Sequence, residues 1–184
     1  MRGDFRNCWK DINKDYVFLR GHYPKIKNIV SAYFFNPGFK SVLLLRVQLL
    51  VYKLGWKRLA QLISNYNLSR TGAEFCTGLV IGSPLVIRHP CGIVVGGGVI
   101  IGDNCTLLHG TTLGRANLQN SSAVEYPIIG NHVVFGAFSS ALGGITIADG
   151  VTLGAHSLLL NSVEKKGTYV GMPAKLVETP EQHE

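Results

Sequence analysis

Charge is scarce in this chain of 184 residues: Asp, Glu, Lys and Arg make up 16% of it, and aromatic residues 9%. A disordered or nucleic-acid-binding tail would carry more charge and fewer aliphatics. The 46% apolar content excludes that class and is enough for a sizeable core. Seven prolines do not match 22 glycines, which excludes a collagen-like repeat. The four cysteines, Cys8, Cys76, Cys91 and Cys105, form no CxxC pair. Such usage fits a reduced, cytoplasmic protein rather than a disulfide framework or a zinc–thiolate site. The most apolar run, VLLLRVQLLVYKL at 42–54, is interrupted by Arg46 and Lys53 and falls short of the ~20 residues a spanning helix needs. It reads as an amphipathic or buried helix. The opening MRGDFRNCWKDINKD is too polar for a signal peptide.

Acidic residues are nearly missing from the front of the chain. Residues 1–70 hold thirteen Lys or Arg against Asp4, Asp11 and Asp15, a balance of +10; residues 71–184 hold five against eight, a balance of −3. The two parts are different objects. A basic front end suits an acidic partner such as an anionic lipid, an acidic glycan or a polyphosphorylated cofactor. Neither an aromatic-interleaved RNA-binding motif nor a helix-turn-helix pattern is present, which argues against nucleic acid. A peripheral membrane contact through this basic end is a minor alternative. Asp4 to Leu19 and Pro37 to Asn67 read as helical, with Asn36-Pro37-Gly38 as a helix start. Residues 1–70 are therefore expected to be a helical cap.

From about residue 75 the period changes. Apolar residues recur every six positions at Phe75, Ile81 and Ile87, then after a step of eight at Val95, Ile101, Leu107 and Leu113. The beat resumes at Ile129, Phe135, Ala141, Ile147, Leu153 and Leu159. Gly often follows the repeated residue, and the position four after it is usually small or β-branched: Cys91, Val99, Cys105, Thr111, Val133, Ser139, Val151 and Ser157. Neither a helix nor an ordinary strand has this period. Six residues can form one short strand and one sharp corner of a triangular prism, so three units make a coil, and coils stack at about 4.8 Å. A β-sandwich would space its strands irregularly at about 8–12 residues. The expected fold is a parallel β-helix over 71–184, with a loop at 115–127 that interrupts the beat and a short C-terminal tail. The polar part of that loop, ANLQNSSAVEY (116–126), is expected to reach a neighbouring subunit or the substrate.

Two histidines share a register. His89 lies two after Ile87 and His109 two after Leu107, three units apart, so they stack on one side of the prism. The step of eight puts a two-residue bulge after His89, in RHPCGIVV, which opens the wall there. His132 and His156 lie three after a beat residue and are expected at a different corner.

The pattern [LIV]-G-x-x-[small]-x resembles the hexapeptide-repeat acyltransferases. That resemblance implies a left-handed parallel β-helix, against the usual right-handed rule for crossovers. The stretches GAEF (72–75), IRHPCGIVVG (87–96), LLHGTTLG (107–114), YPIIGNHVVFGA (126–137) and GMPAKLV (171–177), together with the helical NPGFKSVLLLRV, resemble the serine acetyltransferase branch of that family. The resemblance implies an acetyl-CoA-dependent O-acetyltransferase and a homotrimer, with no metal. It assigns His89 as general base and Glu74 as the acid that orients it. The chemistry agrees: a neutral imidazole can take a hydroxyl proton as the oxygen attacks a thioester, and a carboxylate stabilises the imidazolium. For the donor, the resemblance places pantetheine against small residues, here Gly114, Gly136, Ala137 and Ala155, and puts Lys175 near the nucleotide phosphates.

The acceptor side departs from the branch. Arg88 stands where the family has an Asp before its His, and Glu125-Tyr126-Pro127 replaces Arg-His-Pro. The helical-domain Asp that would meet a serine amine has no counterpart near Tyr23-Pro24. Charge reversal at such a clamp reverses the sign of the binding interaction. A hydroxyl of a surface (capsular or exo-) polysaccharide or its precursor is thus the expected acceptor, lined by His109, Arg88 and Tyr126, with L-serine, as in cysteine biosynthesis, the alternative. Two more distant readings are a zinc-dependent γ-type carbonic anhydrase, which would need three His around one metal, and a catalytically dead scaffold.

Overall fold

The computed structural model describes residues 2–116 and 125–177. Four helices come first: α1 (Arg2–Arg20), α2 (Ile26–Phe35), α3 (Pro37–Lys53) and α4 (Lys57–Thr71). The Asn36 side chain caps α3 by accepting from the Phe39 N–H at 2.9 Å, with Pro37 at the first helical position. The expected single helix from Pro37 to Asn67 is corrected to two, because the chain turns at Gly55, whose φ is +89°. α2 lies outside both helical stretches read from the sequence. Its residues IKNIVSAYFF are apolar on more than one face, so no single stripe marks it.

The solenoid follows, in chain order. Its first coil is β1 (Glu74–Phe75), β2 (Val80–Ile81) and β3 (Leu85–Arg88), and its second β4 (Val94–Val95), β5 (Ile100–Ile101) and β6 (Cys105–Leu108). The third is β7 (Thr112–Gly114), β8 (Ile128–Ile129) and β9 (Val134–Phe135), and the fourth β10 (Ser140–Leu142), β11 (Thr146–Ile147) and β12 (Thr152–Leu153). After these four complete coils, β13 (Leu158–Leu159) and β14 (Thr168–Val170) extend two faces, and β15 (Lys175–Val177) folds back antiparallel to β14. Like strands stack in parallel, in the order β1-β4-β7-β10-β13 on one face and β2-β5-β8-β11 on the next. The third face stacks β3-β6-β9-β12-β14.

The six-residue beat sets this register. Val95 lies beside Leu113, Ile101 beside Ile129 and Leu107 beside Phe135. Every beat residue is buried except Ile81, which is half-buried. The positions four after the beat also turn inward at the corners, with one exception. Cys91 is exposed, because the extra two residues of the bulge carry Ile93 into the core in its place. Most of the 115–127 loop, residues 117–124, and the tail from residue 178 lie outside the described residues.

The helices close the open end of the prism. Free-edge carbonyls of the first coil have no strand before them, and an unpaired buried carbonyl is costly. Gln48 and Ser64 donate to the Phe75 carbonyl at 2.9 and 2.6 Å, and Arg46 donates to those of Ile81 and Gly82 at 3.2 and 2.8 Å. All three donors are buried. The Arg that interrupts the apolar run at 42–54 is thus a cap on the β-helix. Close approach is equally specific at Gly38, where a Cβ would collide with the Ile87 carbonyl.

Candidate active site

His89 stands at the corner that joins the third face to the first, just beyond β3. Its φ of +57° is left-handed and costs a non-glycine residue about 1 kcal/mol or more. The corner turns sharply enough there to project the imidazole outward. His109 follows one coil on, with its ring edge toward His89 at 6.1 Å between centroids. The stacking expected from the sequence is present.

The column continues upward. Phe138 meets His109 edge-on at 5.0 Å, and His156 stacks on Phe138 at 5.0 Å with 16° between planes. The expectation that His156 occupies a different corner is therefore corrected: His89, His109, Phe138 and His156 form one column, one ring per coil. His89 and His109 sit two after their beat residues, and Phe138 and His156 three after theirs. The beat spacing is six across His109, Phe138 and His156 alike, and the Phe138 N–H donates to the His109 carbonyl at 2.8 Å, which brings the two offsets to one corner. His132 does lie elsewhere, with Asn104 and Gly150 at the corner between the second and third faces, where all three have positive φ. Among the described residues no group of three His, Cys, Asp or Glu side chains is placed to hold a metal ion.

A cavity of about 240 Å³ opens where the corner meets the helices, lined by Leu19, Phe35, Asn36, Gly38, Arg88 and His89. No carboxylate among the described residues lines it. Arg88 ends β3 exposed, beside Leu108 of the coil above. The His109 Nδ1 is buried and has no hydrogen-bond partner among the described residues. It leaves one ring nitrogen available at the site. A larger cavity, about 620 Å³, lies between α1, α3 and β2, lined by Cys8, Asp11 and Leu79 and by neither His89 nor His109.

Glu74 begins β1 and pairs in register with Val94, five residues after His89. It borders the same corner, half-buried, and makes no hydrogen bond to His89 within the chain. Tyr126 is placed differently from the other acceptor candidates. Its ring packs where a Cβ on Gly96 or Gly98 would stand, at the corner between the first and second faces, and Arg115 sits over it at 5.8 Å. Within one chain it does not line the His89 cavity.

The donor candidates follow the column. Gly136, Ala137 and Ala155 lie at the same corner as Phe138 and His156, and Lys175 lies on β15 above them. A Cβ on Gly136 would strike backbone of the coil above, so its lack of side chain is a packing requirement. Gly114 ends β7 with open space where a Cβ would be. Phe138 escapes sequence reasoning because it occupies a surface position of the repeat; its only signal is the FGAF stretch that parallels LGAH one coil on.

No family model matches the chain. It is 31% identical over 169 residues to the serine acetyltransferase of Synechococcus elongatus, spanning 92% of this chain and 68% of that protein. To the serine acetyltransferase of Helicobacter pylori it is 32% identical over 154 residues, spanning 84% of this chain and 89% of that one. The solved serine acetyltransferase of Brucella abortus in complex with coenzyme A is similar with a TM-score of 0.80 at 28% identity, over 96% of this chain and 72% of that chain. The chain spans as little as 55% of the length of some curated relatives it matches, among them serine acetyltransferase 1, chloroplastic, of Arabidopsis thaliana.

Proposed function

The chain belongs to the serine acetyltransferase family, and from that premise we propose that it moves the acetyl group of acetyl-CoA to the hydroxyl of L-serine, with His89 as general base. The observation that carries the reading is the position of His89: a strained, outward-projecting imidazole at the mouth of a cavity, with His109 one coil above it. His89 accepts the hydroxyl proton as that oxygen bonds to the thioester carbonyl. The tetrahedral intermediate collapses with cleavage of the C–S bond, and the His89 imidazolium returns its proton to the departing sulfur. No covalent enzyme intermediate is required, because the thioester is already activated. Glu74 is the carboxylate we assign to steady the imidazolium. The groove for the donor runs up the column past Ala137 and Ala155 toward Lys175. We expect a homotrimer in which Tyr126 of one chain closes the site of the next.

The relatives carry the name serine acetyltransferase, and that favours L-serine over the polysaccharide acceptor expected from the sequence. Arg88 is chemically suited to a serine carboxylate. One observation favours a second reading. Among the described residues the cavity beside His89 holds a guanidinium and no carboxylate to meet an ammonium, so an acceptor with hydroxyls and no amine, such as a sugar, fits this part of the site.

Thiol release from acetyl-CoA, measured with L-serine and with a panel of neutral and acidic sugars, tests both. Saturable turnover with L-serine supports the first reading, turnover only with sugars the second, and turnover with neither contradicts the assignment.

A further inference from the structure

We propose that α2 docks the protein on an anionic membrane surface. The inference goes beyond the acetyl transfer and does not depend on which acceptor is used. α2 is held by one face only: Ile29 and Ala32 are buried against Ile12, Tyr16 and Phe39. Its opposite side projects Ile26, Val30 and Phe34, spaced four apart and thus one above another. With Tyr23 and Phe35 they form an apolar patch whose members are 50–85% exposed.

The charge around this patch has one sign. Residues 16–73 contain nine Lys or Arg and no Asp or Glu, and Arg20, Lys25 and Lys27 are exposed beside the apolar side chains. Basic residues flanking exposed aromatics and aliphatics on a short helix suit a helix lying in the lipid interface. Among the described residues no single helix is long and apolar enough to cross a membrane. α2 and α3 reach that threshold only together, yet they are bent by 113° and α3 buries Phe39, Val42 and Leu45. Ten residues of α2 rise about 15 Å, half of a bilayer core, so the helix lies in the plane of the surface.

A second copy is the competing occupant. Two α2 faces packed isologously would bring two sets of Lys25 and Lys27 into one interface, with no carboxylate from residues 16–73 to offset them. Anionic lipid meets both the charge and the apolar patch. Phe35 also lines the His89 cavity, so docking would hold the mouth of the site close to the lipid surface.

Flotation of the full chain with mixed phosphatidylcholine–phosphatidylglycerol vesicles, against pure phosphatidylcholine, tests this. The wild type is expected to float with the anionic vesicles alone. Lys25→Glu/Lys27→Glu should weaken that binding by about 25-fold or more, taking about fivefold for each basic residue near an anionic surface. Ile26→Gln/Phe34→Gln should abolish it, and thiol release from acetyl-CoA in the absence of lipid should stay at the wild-type rate for both. No partition onto anionic vesicles, or equal partition by the variants, overturns the proposal. So does an assembly that light scattering shows to shrink in Ile26→Gln/Phe34→Gln, which would make α2 a protein interface.

Discussion

Arg46 grips Asp15 with two bonds, Nε to Oδ2 at 2.8 Å and Nη2 to Oδ1 at 2.9 Å, while the same guanidinium reaches two carbonyls of the first coil. The Leu85 N–H donates to Asp15 Oδ1 at 2.8 Å, so the carboxylate ties α1 and α3 to β3. Burial works against the Arg46 charge, and the bonds to Asp15 more than offset it, holding its pKa above the ordinary value. The pair joins the cap to the solenoid.

Removing one partner should therefore be severe. Asp15→Ala leaves a buried guanidinium without its counter-charge, and the expected loss is about 3–5 kcal/mol in urea unfolding. Arg46→Ala should cost as much, since it also strands the Ile81 and Gly82 carbonyls. Arg46→Lys should recover only part of it, because an ammonium cannot reach all four acceptors in one plane.

Gly38 lets α3 lie directly on the Ile87 carbonyl. Gly38→Ala should push the helix away, with a loss of about 1–3 kcal/mol. Ile87 immediately precedes Arg88 and His89, so kcat/KM should fall as well. Thermal unfolding and thiol-release kinetics on the same preparation read both effects.

Arg88 lies exposed in the cavity with His89. If it holds the acceptor's carboxylate, Arg88→Ala should raise the KM for L-serine by about 10- to 100-fold, the range for a hydrogen bond to a charged group. The KM for acetyl-CoA should not change. Equal effects on both substrates would move Arg88 out of the acceptor subsite.

Burial pushes the Cys105 thiol up from 9.0 to about 11. In the unfolded chain the thiol ionises first, so its contribution to stability is full below pH 9 and is lost as the pH rises toward 11. The loss expected across that window is about 3 kcal/mol at most. Urea midpoints between pH 8 and 11 check it, and in Cys105→Ala this component of the decline should vanish. At pH 8 a thiol reagent should label exposed Cys91 in the native protein and Cys105 only after unfolding.

The residues that were legible in the sequence are those whose position follows from a period. Phe75, Val95 and Leu113 fall on one face because six residues make one side of the prism, and the His89–His109 pair follows from the same count. Long-range placement was not legible. The stretch 37–67 keeps its apolar spacing through Leu54 and Trp56, so nothing in the pattern marks the turn at Gly55. His156 shares the His89 corner despite a different offset, because the corner spans both the second and the third position after the beat residue, and rings from either position meet along it. Tyr126 reads as a neighbour of His89 only through the family motif; within one chain it packs on Gly96 and Gly98. Arg46 reads as an interruption until the carbonyls it caps are in place.

The central claim is that His89 removes the acceptor proton. The direct measurement is kcat/KM for thiol release from acetyl-CoA with L-serine, in the wild type and in His89→Ala, with circular dichroism confirming that both are folded. A fall of about 10²- to 10⁴-fold in the variant is the predicted result, the usual worth of a positioned general base. A folded His89→Ala protein that keeps the wild-type rate would contradict the account.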